Sequence, residues 1–366
     1  MRKTILNILI VIMSLFALTN CDVHEFPVDR HALVPFTLHL DFDTEMYFYK
    51  EIPYTRGDNE ETKALATKHD VRYVINAYRT DNIVGVSHTP DTTFVFTKSD
   101  LTNLNYTANF EIREGTYRFA VWCDFVDEGS TADKYYNTSD FLEVILKDRD
   151  NHPGSNDFRD TFKGYATAKV IDPQYYTGSA LTSIDNSATA QMTRPMGKVQ
   201  FISTDVKEFI SRMASLMQQQ GILSVSPDED LYDAFLQSVD LGQFKVIINY
   251  DINMPCSYDM VYDKPSGIWE NMSFVSRMNR TSETEMILGF DYVFVDEFGT
   301  TLNFSIEVYD RNDKLMSRSN SVQVPIMPSK LTVVKGEFLT SIAEGGITIK
   351  PGYDGEWNWD ITDVIQ

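Results

Sequence analysis

Between Leu302 and Val308 the chain alternates without a break, Leu302, Phe304, Ile306 and Val308 against Asn303, Ser305 and Glu307. A period of two sends successive side chains to opposite faces of an extended backbone, so the stretch predicts a strand with one buried face. The same chemistry recurs. Phe36, Leu38 and Leu40 alternate within residues 35–42, which leaves His39 on the polar face as a surface residue rather than a ligand. VRYVINAYR, TTFVFTK, YTANFEI, TYRFAVWCDFV, GKVQFIS, FKVIINYDI and MILGFDYVFVDE follow. Each is short, rich in β-branched and aromatic residues, and bounded by Gly, Pro, Asn, Asp or Ser clusters. Regularly spaced short strands with no strand–helix–strand rhythm predict an all-β chain of sandwiches.

Two helices interrupt this pattern. Asp205 with Glu208 three residues on forms a capping-box pattern, and Val206, Phe209, Ile210, Met213, Leu216 and Met217 share one helical face. Gly221 supplies the stop. Ser226-Pro227-Asp228-Glu229 repeats the starting signal, with Leu231, Ala234 and Phe235 on the buried side. The Met residues at these spacings read as core. Between Asp185 and Pro195 the segment SIDNSATAQMTRP lacks strand periodicity and predicts a domain boundary. The resulting plan is residues 1–20 as an export signal, 21–34 as a tether, 35–190 as a first sandwich and 191–366 as a second, with a helical insertion at 205–240. Short matches in the same order support a duplication: Phe125-Val126-Asp127-Glu128 recurs at Phe294–Glu297, and Val74-Ile75-Asn76-Ala77-Tyr78 is echoed by Ile247-Ile248-Asn249-Tyr250.

Composition removes several function classes. The chain has 53 acidic and 32 basic residues, a net charge of −21, which excludes a nucleic-acid partner and an electrostatic grip on anionic lipid. At 43% hydrophobic and 13% aromatic it has material for real cores. Three cysteines, Cys21, Cys123 and Cys256, offer neither a disulfide framework nor zinc spacing, and Cys123 keeps phase with Tyr117, Phe119 and Val121 as a small core residue. No nucleophile elbow, HExxH, P-loop or dinucleotide fingerprint is present, so the chain reads as a non-enzyme without a cofactor or metal. The acidic pairs Asp127-Glu128, Asp296-Glu297 and Asp228-Glu229 close strands or open a helix. Asp148, Asp150 and His152 read as turn chemistry around Pro153-Gly154, since no calcium-loop spacing follows. All six His lie at or before His152. For sugar stacking the candidates are Trp122, Trp269, Trp357 and Trp359. Trp357 and Trp359 share one face of EWNWD, with strand packing as the plainer account of all four.

The first residues carry an address. Arg2 and Lys3 precede an apolar run from Ile5 to Leu18 that is too short for a spanning helix, and Leu18-Thr19-Asn20-Cys21 follows. The arrangement resembles a bacterial lipobox, with Asn20 where a small residue is usual. It implies a diacylated Cys21 as the lipid attachment site and new N-terminus; the alternative is an ordinary secretory signal with an incidental Cys. Acyl chains of this kind, palmitate among them, hold a chain to a membrane.

At the other end stand KLTVVKGEFLTS (Lys330–Ser341) and IKPGYDGEWNWDI (Ile349–Ile361), with Val324-Pro325 leading in. These segments resemble the C-terminal signature of the fimbrillin superfamily. Gly115–Gly129 and Cys21-Asp22-Val23-His24-Glu25 resemble its lipoprotein branch of fimbrial anchors and minor subunits. The resemblance implies two tandem transthyretin-like β-sandwiches on the outer membrane, lipid-anchored and exposed at the cell surface. It also implies assembly with other fimbrial subunits by strand addition, in the service of cell adhesion, with a host or bacterial surface receptor as a further partner. Stalk subunits of that family are cut after an Arg in the first domain. Arg56 lies in acidic Gly-Asp-Asn-Glu surroundings without a clear maturation site, so an anchor or accessory role fits better. Asp91-Thr92-Thr93 matches an O-glycosylation triplet of bacteria carrying the family, and Arg56-Gly57-Asp58 is a three-residue adhesion match of the kind chance supplies. The other reading is a surface glycan-binding lipoprotein. Leu331–Leu339 is apolar on both faces, and is expected either to be an exchangeable strand or to complete the second sandwich.

Overall fold

The structure, a computed structural model, describes residues 33–43, 69–81, 88–175, 185–224, 230–340 and the backbone of 356–357. Strands in the first half are β1 (Leu33–Phe42), β2 (His69–Arg79), β3 (Thr92–Lys98), β4 (Tyr106–Arg113), β5 (Gly115–Asp127), β6 (Tyr136–Asn137), β7 (Val144–Leu146), β8 (Phe162–Val170) and β9 (Ser187–Thr193). Then come β10 (Met196–Ser203), the helices α1 (Val206–Gln219) and α2 (Leu231–Ser238), β11 (Lys245–Pro255), β12 (Ser257–Asp259) and β13 (Lys264–Pro265). The chain continues through β14 (Ile268–Arg277), β15 (Asn279–Arg280), β16 (Met286–Phe294), β17 (Thr300–Tyr309), β18 (Leu315–Arg318), β19 (Val322–Ile326), β20 (Leu331–Gly336) and β21 (Glu356–Trp357). The fold is an all-β sandwich, as the alternation predicts.

Seven strands of the first half form one sheet in the order β3-β2-β5-β8-β9-β1-β4. It curls until its two edges face each other, Phe94 of β3 stacking on Phe110 of β4 with ring centroids 4.1 Å apart. Phe36, Leu38, Val71, Tyr73, Phe119, Val121 and Cys123 fill the space enclosed. In the second half, β15-β16-β10-β20-β21 faces β14-β11-β17-β18, with β19 also on β17. Phe201 and Phe304 meet between these sheets at 5.2 Å. A small third sheet, β13-β12-β7-β6, draws strands from both halves. Trp122, on the face of β5 away from the first core, is fully buried against Tyr136 and Phe294, so a second core runs from the first half into the sandwich of the second.

Two expectations need correcting. Ser187–Thr193, expected to lack strand order, is a strand parallel to β1. Its small residues conceal a period of two in which Ala190 and Met192 are buried. The short sequence repeats do not occupy equivalent places. The Val74 strand pairs with the Phe125 strand, whereas the Ile247 and Phe294 strands lie in opposite sheets. What does recur is a parallel pairing of the first strand of each half with a strand late in that half, β1 with β9 and β10 with β20.

The helices form where the spacing places them, but their starts differ. The Asp205 carboxylate makes no cap bond to α1, because the tail takes it, and Glu208 pairs with Arg212 at 3.2 Å. The Asp230 side chain caps α2 by accepting from Tyr232 N; Ser226–Glu229 lie outside the described residues. Val206, Phe209 and Ile210 are buried, whereas Leu216 near the far end of α1 is 41% exposed. Gly221 ends α1 at φ +68, a left-handed position that costs Gly little.

Candidate functional site

The tail segment is built into the second sandwich. β20 pairs in parallel with β10 from Lys198↔Leu331 to Ser203↔Gly336. Thr332, Val333 and Val334 are buried, the hydroxyl of Thr332 donating to the Pro325 carbonyl at 2.8 Å. Phe338 and Leu339 continue into the core, and Phe338 O accepts from the Ser317 hydroxyl at 2.7 Å. The buried carboxylate of Asp205 then accepts from Leu339 N at 3.1 Å, Thr340 N at 2.7 Å and the Thr340 hydroxyl at 2.7 Å. A strand apolar on both faces needs cover on both, and here it has it. On the side of β20 away from β10, β21 pairs in parallel at Leu331↔Glu356 and Thr332↔Trp357. Main chain from beyond Thr340 thus adds a strand at the edge of its own sheet.

The other sequence candidates scatter. Cys21, Arg56-Gly57-Asp58 and Trp359 lie outside the described residues, and Trp357 is described through its backbone alone. Trp122 is sealed in the core and Trp269 is half-buried on β14 opposite Met254. His39 faces outward, as expected. Asp127 and Glu128 are exposed at a strand end, and Asp296 accepts from Phe298 N at 2.9 Å in a turn. Thr93 donates to the Asn76 side chain at 2.6 Å. Asp148, Asp150 and His152 do not converge. Asp148 takes a left-handed turn position, Asp150 is exposed and His152 is buried. Among the described residues no group of three or more His, Cys, Asp or Glu could hold a metal.

One cluster escaped the sequence reading. Asp291 of β16, 1% exposed, accepts from His152 Nε2 and from the Tyr250 hydroxyl, each at 2.6 Å, from Tyr292 N at 2.8 Å and from the guanidinium of fully buried Arg159. Burial alone would raise the carboxyl. The Arg159 charge and the His152 and Tyr250 bonds outweigh that and hold it at about 2. Burial and the neighbouring Arg159 push His152 down, against the pull of Asp291. A His, an Asp and a Tyr in contact have the chemistry of an acid–base site, and all three are buried in the joint between halves. The sequence signal available was a lone Asp amid the apolar residues of MILGFDYVF.

The fold defines a class, the all-β sandwich protein with two short helices. More particularly, the chain belongs to a family of unknown function, DUF6562, whose model matches residues 30–366. Among curated proteins none matches it in sequence. Solved structures give distant likenesses. The fimbrial anchor protein Mfa2 from Porphyromonas gingivalis is 10% identical, with a TM-score of 0.36 over 78% of this chain and 82% of that one. A candidate cell adhesion protein from Bacteroides ovatus is 10% identical, with a TM-score of 0.39 over 90% and 98%. A candidate polysaccharide-binding protein from Bacteroides thetaiotaomicron is 11% identical, at 0.39 over 77% and 79%.

Proposed function

We propose that this chain is a surface protein anchored to the outer membrane through lipid on Cys21, serving as a fimbrial anchor or minor subunit that joins its neighbours by strand addition. The observation that carries the reading is the division of labour in the tail. Leu331–Thr340 is fixed by core packing and by Asp205, whereas β21 lies against β20 at the outer edge of the sheet. Main-chain bonds at a sheet edge can be made by any strand that presents the same groups. The exchangeable element is therefore the chain beyond Thr340, and β20 is the strand it pairs with. The N-terminal signal and Cys21 supply the anchor. A glycan-binding role would fall to Trp357 and Trp359, because Trp122 is sealed in the core.

Two deletions test this. Removing residues 341–366 should leave a folded, lipidated protein that no longer co-purifies with a polymerised fibre. Removing Lys330–Gln366 should also destroy the second sandwich. Fibre attachment that survives the shorter deletion would sink the strand-addition reading. Metabolic fatty-acid labelling should tag the wild type and miss Cys21→Ser.

A further inference from the structure

Residues 149–157 lie along the second half, and Phe158 next to them stays in the first, its ring stacked on His69 of β2 with centroids 3.7 Å apart. Arg149 donates to the Glu270 carbonyl at 3.3 Å. Ser155 N donates to Phe290 O at 2.7 Å, Phe290 N returns a bond to the Ser155 hydroxyl at 3.1 Å, and that hydroxyl meets the Ser276 hydroxyl at 2.8 Å. Arg159 reaches the Tyr292 carbonyl at 3.3 Å. Phe290 and Tyr292 are alternate residues of β16, so the segment and Arg159 together satisfy main-chain groups along the edge of that strand turned away from β10. Ser155 sits at φ 55, a conformation costly for a non-glycine residue and held here by those bonds.

His152 is the keystone of this cover. A 2.6 Å contact with a carboxylate places the ring proton on Nε2, and the Arg159 guanidinium approaches the same nitrogen to 3.0 Å as a charge, not a bond. Nδ1 is buried without a hydrogen-bond partner. Facing the ring are Arg159 from just past its own segment, Asp291 from β16 and Tyr250 from β11, while β14 contributes the uncharged ring of Phe274. Farther out, Asp157 pairs with Lys198 of β10 and Asp160 with Arg194. With His152 neutral, one buried cation faces one buried anion. A proton on Nδ1 adds a second cation beside the first, with no acceptor for its N–H.

We propose that residues 149–157 form an acid-sensitive latch, hinged where Phe158 holds to the first half, closed over the outer edge of β16 at neutral pH and released from it by protonation of His152. Release carries the imidazolium away from Arg159 into water and bares the Phe290 amide and carbonyl. The burial and the Arg159 charge that push the imidazole down make neutral His152 the state the closed latch selects.

Hydrogen exchange of the intact chain, corrected for the intrinsic pH dependence of exchange, reads the latch at Ser155 and Phe290. His152→Gln keeps an N–H for Asp291 and removes the titration. In the wild type, protection at these amides should fall about fivefold from pH 6.5 to 5.5, the limit for one proton taken up by a His of ordinary pKa, about 6.5, once exposed. Amides of β1 and β4 should hold, and in His152→Gln the fall should vanish. Equal protection at both pH values, or an equal fall in the variant, overturns the latch. Should the variant not fold, histidine NMR of the wild type decides. A His152 that protonates at an ordinary pKa with the Ser155 and Phe290 amides still protected refutes the proposal. Resonances that stay neutral until protection is lost support it.

Discussion

Gly154 lies within van der Waals reach of the Phe274 ring, and a Cβ there would sit 2.1 Å from its Cδ2. Gly154→Ala should therefore lower stability by about 1–3 kcal/mol, the cost of overpacking a fitted contact, read as a lower urea midpoint at unchanged slope. Asp291→Asn removes the charge that balances buried Arg159 and should cost about 3–5 kcal/mol, as breaking a buried pair from one side does. Its pH signature follows from sign. Folding depresses the Asp291 carboxyl to about 2, so its contribution is fully present above the unfolded value near 4 and is lost as pH falls from 4 towards 2. His152 is also depressed, but neutral is its folded form, so its contribution is complete above about pH 6.5 and declines below that. Stability measured against pH should show a shallow loss below 6.5 and a further one below 4, the latter missing in Asp291→Asn. Neither residue announced itself. A Gly before a turn is ordinary in sequence, and a carboxylate paired with residues 132 and 139 positions away leaves no local pattern.

Among the elements, β20 shows what periodicity can and cannot read. Val333 and Val334 on successive positions correctly require cover on both faces, but whether that cover is the chain's own or a neighbour's depends on β10, far away in sequence. Asp205 illustrates the same limit. Its place before an amphipathic run marks the start of α1, yet its carboxylate holds Leu339 and Thr340 because the fold brings them within 2.7–3.1 Å. Asp205→Ala strands those buried amides and should cost about 1–3 kcal/mol while speeding hydrogen exchange at Leu339 and Thr340. Helix content by circular dichroism should hardly change, since the side chain makes no cap bond to the helix. A helix lost with the substitution would contradict this account.

For the whole molecule, the second core joins Val74, Tyr78, Trp122 and Phe141 of the first half to Met260, Phe294 and Val295 of the second, and the β6–β7–β12–β13 sheet crosses the same joint. We propose the division of the chain at residues 194–195, after β9, but with so much shared apolar surface the halves should unfold together. Calorimetry should give one transition with matching calorimetric and van't Hoff enthalpies, and neither half expressed alone should unfold cooperatively. Two separated transitions would refute it. The sequence by itself determined the all-β class, the strand faces of β1, β5 and β17, the two amphipathic helices and the core role of Cys123, because a strand or helix writes its burial into side-chain order over a few residues. Tertiary structure alone decided that SATAQMT is a strand, that Trp122 is sealed rather than displayed, that Asp205 serves the tail and that residues 149–157 lie along the second half. Each of those outcomes rests on a partner far away along the chain, and local order carries no record of a distant contact.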